Sequence, residues 1–458
     1  MNWISDLAAK IQGAVLSDEA SRVAFASDFG RIVERKPALV VRPASGGDVA
    51  EVLKFAARNS LHVTARGAGH SQSGQSLSDQ IVLDMRSLDQ IIDLDERNST
   101  VRCQAGMTWR SLLEKLLPLG LSPPVLTNNL DVTVGGTLST AGLGVASWRY
   151  GTQADHCLEL DAVTGEGETL RTSPSSFPEL FDALRAGLGQ FGVMTEARLE
   201  LRRHQPRVCT FYLLYDDLQA LLGDLKILIE ESRFDYLESW CVPLPQGMKK
   251  VGGERLPFAQ WFFPLHAAIE FSGGVLPDTR ERLRGLNFYK HVHTEEGSIA
   301  EFFTRLDPLF ALWKRGGFWD CAHPWMECIL PWEVAPFYIS QVLQNFPPQA
   351  LAGGHILLWP AHGSASTVPF FIRPKGEAVL GFGILPAVPK MFLGEALPRL
   401  ERASEAATQL GAKRYLSGWF SFSQDQWRAH YGEKWSALVD LKQKFDPKAI
   451  LNPTLMNC

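Results

Sequence analysis

The sequence predicts an α+β fold assembled from two or three packed units. Three observations lead there. A chain of 458 residues exceeds what one simple core encloses. Its first third alternates strand-like with helix-like segments. After His204-Gln-Pro206 that alternation gives way to long apolar and aromatic stretches, poor in glycine motifs, that last to about residue 410.

The elements follow in order. Trp3, Ile4, Leu7, Ala8, Ile11 and Val15 recur at helical spacing and predict an amphipathic helix. Residues 38–42 form an apolar strand candidate, and Asp48 then opens a helix pattern with Val49, Val52, Leu53 and Ala56 on one face. Residues 62–66, 81–85 and 101–104 are further strands. Thr108 precedes Trp109, Leu112, Leu113 and Leu116, whose spacing is that of a helix with one face on a sheet. Residues 127–151 are rich in Gly, Thr, Ser and Ala and suggest close-packed backbone. Residues 158–163 and 168–171, joined through Gly165-Glu-Gly167, predict a β-hairpin. Gly187-Leu-Gly-Gln-Phe-Gly192 is a second glycine cluster, followed by a strand over 196–201.

Composition excludes several function classes. The 45 Lys+Arg nearly balance the 50 Asp+Glu, a net charge of -5, so no electrostatic nucleic-acid binder is expected. No apolar run approaches the ~18 residues of a membrane span, and residues 1–30 lack the pattern of a secretory signal. Cysteines stand at 103, 157, 209, 241, 321, 328 and 458 without a CxxC pair. Reduced thiols in a cytoplasm are therefore expected, with no metal site. The 13 Trp and 26 Phe serve mainly as core, and a minority could line a pocket for a flat ligand.

The sharpest segment is Ala65-Arg-Gly-Ala-Gly-His-Ser-Gln-Ser-Gly-Gln75, between two strands. Gly67 and Gly69 allow backbone N–H groups to converge on an anion such as a pyrophosphate, because no Cβ blocks the turn. The segment is neither a Rossmann fingerprint nor a P-loop. By itself it is also compatible with a plain turn. Thr133-Val-Gly-Gly-Thr-Leu-Ser139 repeats the pattern, either as a tight loop or as a second wall of the same cleft.

Together with others in order, these motifs resemble the vanillyl-alcohol-oxidase family of FAD enzymes, and within it the cytokinin dehydrogenases. The resemblance spans almost the whole chain. It rests on Phe25-Ala-Ser-Asp-Phe-Gly30, Arg66-Gly-Ala-Gly-His-Ser71 with Gly74-Gln75, and Thr133-Val-Gly-Gly-Thr-Leu-Ser139. Tyr150-Gly151, Glu159-Leu-Asp-Ala-Val-Thr-Gly165, Gly187-Leu-Gly-Gln-Phe-Gly192, Phe234-Asp-Tyr-Leu-Glu238 and His323-Pro-Trp325 follow. Trp427, His430-Tyr-Gly432, Trp435 and Phe445-Asp-Pro447 with Ile450-Leu451 close the set.

The resemblance implies a two-subdomain, PCMH-type FAD-binding domain over residues 1–205 and 411–458. An α+β substrate domain, residues 206–410, would lay an antiparallel sheet over the flavin. It implies FAD linked covalently to His70 alone, since no cysteine lies between 104 and 156. Gly67, Ala68, Gly69, Ser71 and Gln75 match pyrophosphate and ribityl contacts. Thr133, Ser139, Leu143, Val193 and Asn452 match further FAD contacts, and Tyr415 matches one near the ring. Glu238 matches an acidic site residue, and Trp325, with Trp240 and Phe234, is a candidate for a flat substrate slot.

Two departures stand out. The family's catalytic Asp, five residues before Thr133, is Asn128 here, and an amide cannot serve as a general base. It could orient a substrate N–H through its oxygen. Asp131 is a solvated turn residue or, on a shifted loop, a substitute acid. At the C-terminal motif, Pro-Gly-Gln is replaced by Pro453-Thr-Leu455. The expected reaction is hydride transfer to flavin N5 from an N6-isopentenyladenine-type secondary amine, with oxygen or a quinone as electron acceptor. Asn128 keeps open an oxidase of an alcohol, sugar or secondary metabolite. A catalytically poor flavin protein acting in a complex is the remaining reading.

Overall fold

The computed structural model describes residues 3–363 and 366–456. Cys458 lies outside them, and the six described cysteines are free thiols.

Three sheets organise the chain. The first has four strands in the order Ala14–Leu16, Leu39–Arg42, Ile81–Asp84 and Val63–Arg66. Its last three are parallel, joined through helix Gly46–Asn59. Ser45 caps that helix by accepting the Asp48 N–H at 3.3 Å, and Val49, Val52, Leu53 and Ala56 bury its inner stripe. The second sheet is antiparallel, in the order Ile91–Asp95, Thr100–Gln104, Val193–Glu200, Cys157–Val163 and Thr169–Thr172. Helix Trp109–Leu116, capped by Thr108, buries the four apolar residues that predicted it.

The third sheet has eight antiparallel strands. Their order is Lys290–Ser298, Arg207–Tyr215, Glu254–Phe271, Tyr236–Val251, His355–His362, Ala378–Leu385, Met326–Pro331 and Lys413–Arg414. Helices Leu218–Glu230, Ala335–Asn345 and Leu393–Gln409 join one core with it through Leu221, Leu225, Tyr338 and Leu400. Side chains alternate along a strand. Leu237 and Cys241 therefore enter that helix-side core, while Glu238 and Trp240 face the opposite way. The C-terminal segment returns to the first sheet, where Val63 donates to the Ile450 carbonyl and Asn452 donates to that of Val63.

One predicted element is corrected. The N-terminal helix spans only Trp3–Ala8, and Val15 belongs to strand Ala14–Leu16. The cause lies outside the segment: the Asp48 carboxylate accepts the N–H groups of Gln12 and Gly13 at 2.9 and 2.8 Å and fixes a turn. A Cβ on Gly13 would stand 2.1 Å from the Arg42 carbonyl, so only glycine lets the strand approach there.

Candidate active site

The loop after strand Val63–Arg66 is held from below. Phe29 and Gly30 donate to the carbonyls of Gly69 and Ser71, at 2.8 and 2.9 Å. The Asp28 carboxylate accepts Ser71 Oγ and the Gly74 N–H, both at 2.9 Å. The Phe25–Gly30 motif thus works as a clamp for the glycine loop. Gly69 takes a left-handed φ of +69°, with the Arg66 guanidinium packed against it. A Cβ on Gly67 would sit 2.0 Å from Thr133 Oγ1, so the two glycine motifs touch.

The second motif forms helix Val134–Leu138, with Thr133 as its cap. Ser139 Oγ donates to the Gly135 carbonyl at 2.8 Å, and Tyr415 Oη accepts the Leu143 N–H at 3.2 Å. Asn452 Nδ2 donates to the carbonyls of Gln75 and Leu188, at 3.0 and 3.2 Å. Gln75 Nε2 in turn donates to those of Leu416 and Gly418, both at 3.3 Å. One cavity receives all of these parts. Gly67, Ala68, Gly69, His70, Ser71, Gln75, Thr133, Ser139, Leu143, Val193, Tyr415 and Asn452 line it, together with Asn128, Glu238 and Trp325.

Its walls fit a flavin dinucleotide. Glycine backbone at 67, 69, 135, 136, 144, 189 and 192 borders the cavity. Among the described residues, the N–H groups of Ala68, Gly69 and His70 find no acceptor. Asn452 Oδ1 and the indole N–H groups of Trp240, Trp325 and Trp359 are also buried without partners on this cavity. Such groups await a polar guest. The His70 ring lies 4.1 Å from Phe29 and 5.6 Å from Trp325. Burial, reinforced by His323, pushes its pKa down to about 3, so the imidazole is neutral.

At the sheet end, three side chains close a ring. Asn128 Nδ2 donates to Glu238 Oε1 at 2.6 Å. Arg305 Nη2 donates to Asn128 Oδ1 at 2.9 Å and to Glu238 Oε2 at 3.1 Å. The amide's orientation follows from chemistry, because a carboxylate only accepts and a guanidinium only donates. Burial would raise the Glu238 pKa, but Arg305, His266 and the Asn128 hydrogen bond hold it below the usual carboxylate range. Glu238 is therefore an anion, 4% exposed, on the cavity wall. The expected role of the Asn128 oxygen changes accordingly, since that oxygen already accepts from Arg305.

Two other candidates settle elsewhere. Asp131 does not line the cavity. It accepts from Arg110 at 2.5 Å on a half-exposed turn. Phe234 is buried in the helix-side core against Phe211 and contributes no cavity wall. At the altered C-terminal motif, Thr454 Oγ1 accepts from Arg35 at 2.7 Å, and only Asn452 of that segment reaches the cavity.

The sequence reading missed Arg305, Trp313, Trp319, His355, Trp359 and Glu327. Glu327 had a usable signal: it lies two residues after Trp325, and strand alternation keeps it on the cavity side. Burial pushes its pKa up to about 7, and Ser417 Oγ donates to it at 2.9 Å.

A glycine-walled cleft facing a sheet that carries a carboxylate and indoles defines the class, a flavin-linked oxidoreductase. Residues 37–173 match a family model described as FAD binding domain, and residues 276–455 match one described as Cytokinin dehydrogenase 1, FAD and cytokinin binding. Cytokinin dehydrogenase 6 of Oryza sativa subsp. japonica is 32% identical, over 93% of this chain and 88% of its own. Cytokinin dehydrogenase 7 of the same plant is 30% identical, over 95% and 90%. The "Uncharacterized oxidoreductase ORF5 in fasciation locus" of Rhodococcoides fascians is 29% identical, over 95% and 97%. The chain belongs to the cytokinin dehydrogenase family of FAD-dependent oxidoreductases.

Proposed function

We propose that this chain oxidises an N6-isopentenyladenine-type cytokinin at the carbon beside its secondary amine, in cytokinin catabolism. The observation that carries the reading is the ionised Glu238 on the cavity wall, keeping lone pairs beyond those taken by Asn128 and Arg305. An acceptor-only group there suits the N–H of a secondary amine. Bound FAD would supply the acceptor for the hydride of the adjacent C–H. Glu238 holds the amine proton as positive charge develops on nitrogen. Asn128 positions Glu238 and is not itself a base. The indoles of Trp325, Trp240 and Trp359 wall a slot for a planar ring. Water then adds to the product C=N bond, releasing adenine and an aldehyde.

His70 would carry the flavin covalently, because a neutral imidazole has a free lone pair with which to form the bond. Among the described residues no cysteine lines the cavity, so one linkage is expected. Gly67, Ala68, Gly69, Ser71 and Gln75 would hold the pyrophosphate and ribityl chain. Thr133, Ser139, Leu143, Val193 and Asn452 would add contacts, and Tyr415 would lie near the ring. Residues 1–205 and 411–458 would form the FAD-binding domain, and residues 206–410 the substrate domain. Oxygen or a quinone would reoxidise the cofactor in a cytoplasmic setting.

Asn128 favours a second reading, oxidation of an alcohol, sugar or secondary metabolite, because an amide relaxes the demand for an amine. Product analysis separates the two. Adenine and an aldehyde formed in equal amounts from isopentenyladenine support the first. Turnover of an alcohol or sugar without any adenine from isopentenyladenine supports the second.

A further inference from the structure

A cross-strand row of polar side chains leads from Glu238 away from the cavity. In the large sheet Glu238 stands directly opposite His266, His266 opposite Tyr212, and Tyr212 opposite His293. Facing residues of antiparallel strands project to one side, so these four share one face of the sheet. Tyr212 Oη donates to Glu295 Oε2 at 2.9 Å, and Glu295, two residues from His293, lies on that face as well. The Tyr212 ring meets that of His266 edge-on at 4.7 Å and stacks with that of His293 at 6.0 Å. Accessibility grows along the row. Glu238 is buried, His266 and Tyr212 are half-buried, and His293 and Glu295 are exposed.

The row answers a need that the proposed oxidation creates. One hydride leaves the C–H, and the amine proton stays on Glu238, which has to lose it before the next amine binds. Asn128 and Arg305 reach Glu238 only as donors, so neither takes the proton away. His266 is the base that faces it across the strands. Burial, aided by Arg305 and opposed by Glu238, holds the His266 pKa below the usual histidine range, so at neutral pH its ring keeps a lone pair. His355 also feels the Glu238 charge, but it lies on the cavity wall between Trp240 and Trp313, at 4.8 and 5.6 Å.

We infer that His266 relays the amine proton from Glu238 to solvent along this row. The inference rests on the amine oxidation proposed above. Among the described residues no hydrogen bond joins Glu238 to His266, and facing Cβ atoms stand ~4.5–5.5 Å apart, a gap that one water bridges. The proton passes from the Glu238 carboxyl to a ring nitrogen of His266, which restores the carboxylate and leaves an imidazolium. The imidazolium then releases it to water beside Tyr212, Glu295 and His293. Only a proton moves, so the step needs no oxidant or reductant. His266 does not line the cavity and acts through Glu238, not on the substrate.

The test compares His266→Gln and His266→Asn with the parent, all loaded with FAD, on isopentenyladenine. Flavin absorbance reports whether each variant folds. In an anaerobic single turnover the amine proton goes no further than Glu238, so flavin bleaching should stay within about two-fold of the parent. Steady-state kcat with a quinone acceptor should fall about ten-fold or more while kcat/KM stays near the parent value, and added imidazole should restore much of the loss. A kcat equal to the parent's, a loss that imidazole leaves untouched, or an equally slowed bleaching would each overturn the relay. A parent whose flavin does not bleach would remove the amine reading, and the relay with it. Normal bleaching in the parent with no change in the variants would remove the relay alone.

Discussion

Glu238 remains an anion in an apolar wall because three neighbours outweigh its burial: Arg305, His266 and Asn128. Glu238→Gln should lower kcat/KM for a cytokinin by about 10²–10⁴-fold with flavin content unchanged. An undiminished rate would remove Glu238 from the chemistry. Asn128→Asp places a second acid 2.6 Å from Glu238, where one proton must be shared, and should raise cytokinin oxidation. A lower or unchanged rate would mean that an acid at residue 128 adds nothing to Glu238 as the acceptor of the amine proton. His70→Ala should leave FAD removable by acid precipitation, whereas flavin that still precipitates with the variant contradicts the linkage. The cavity positions of His70 and Glu238 were legible because each sits inside an ordered motif, and that of Asn128 because it stands five residues before one. Arg305 was not, since a lone arginine 67 residues from its carboxylate carries no local mark.

At the scale of elements, the two glycine motifs act as one device, and Gly67 is its tightest point. Gly67→Ala drives a Cβ into Thr133 Oγ1, a clash costing about 1–3 kcal/mol. The variant should lose most of its bound FAD, and adding Thr133→Ala should restore part of it. The ratio of flavin to protein absorbance reads both outcomes, and full loading of the single variant would deny the contact. Helix Trp109–Leu116 and strand Leu39–Arg42 could be read from sequence, because their apolar spacing and caps are local. The end of the first helix could not, because Asp48 sets it from 35 residues away. Phe234 was misplaced for a related reason: aromatic character does not reveal which side of a sheet a residue faces.

On the scale of the molecule, buried titratable groups give the fold a direction in pH. Burial depresses His323 and His355 to about 4 and His430 to about 3, and it lowers His266 as well. Each binds fewer protons folded than unfolded below pH 6.5, so each costs stability on acidification. Burial raises Asp28 to about 6 and Glu327 to about 7, with the opposite sign. The depressed histidines, His70 among them, outnumber Asp28, Glu327 and the likewise raised Asp235, so Tm should fall as pH is lowered from about 6 to about 4.5. A flat or rising Tm would contradict the buried neutral set. The start of the eight-stranded sheet at Arg207 was legible as a change of texture after Pro206. The extension of strands Tyr236–Val251 and Glu254–Phe271 beyond their sheet neighbours was not, because it is defined by the pairing those strands lack. The central claim concerns what the assembled cavity oxidises, and the most direct measurement is the visible spectrum of the purified protein mixed anaerobically with isopentenyladenine. The account predicts that the flavin band bleaches within minutes. A band that persists with that substrate and bleaches with dithionite would keep the fold and the cofactor and contradict the proposed substrate.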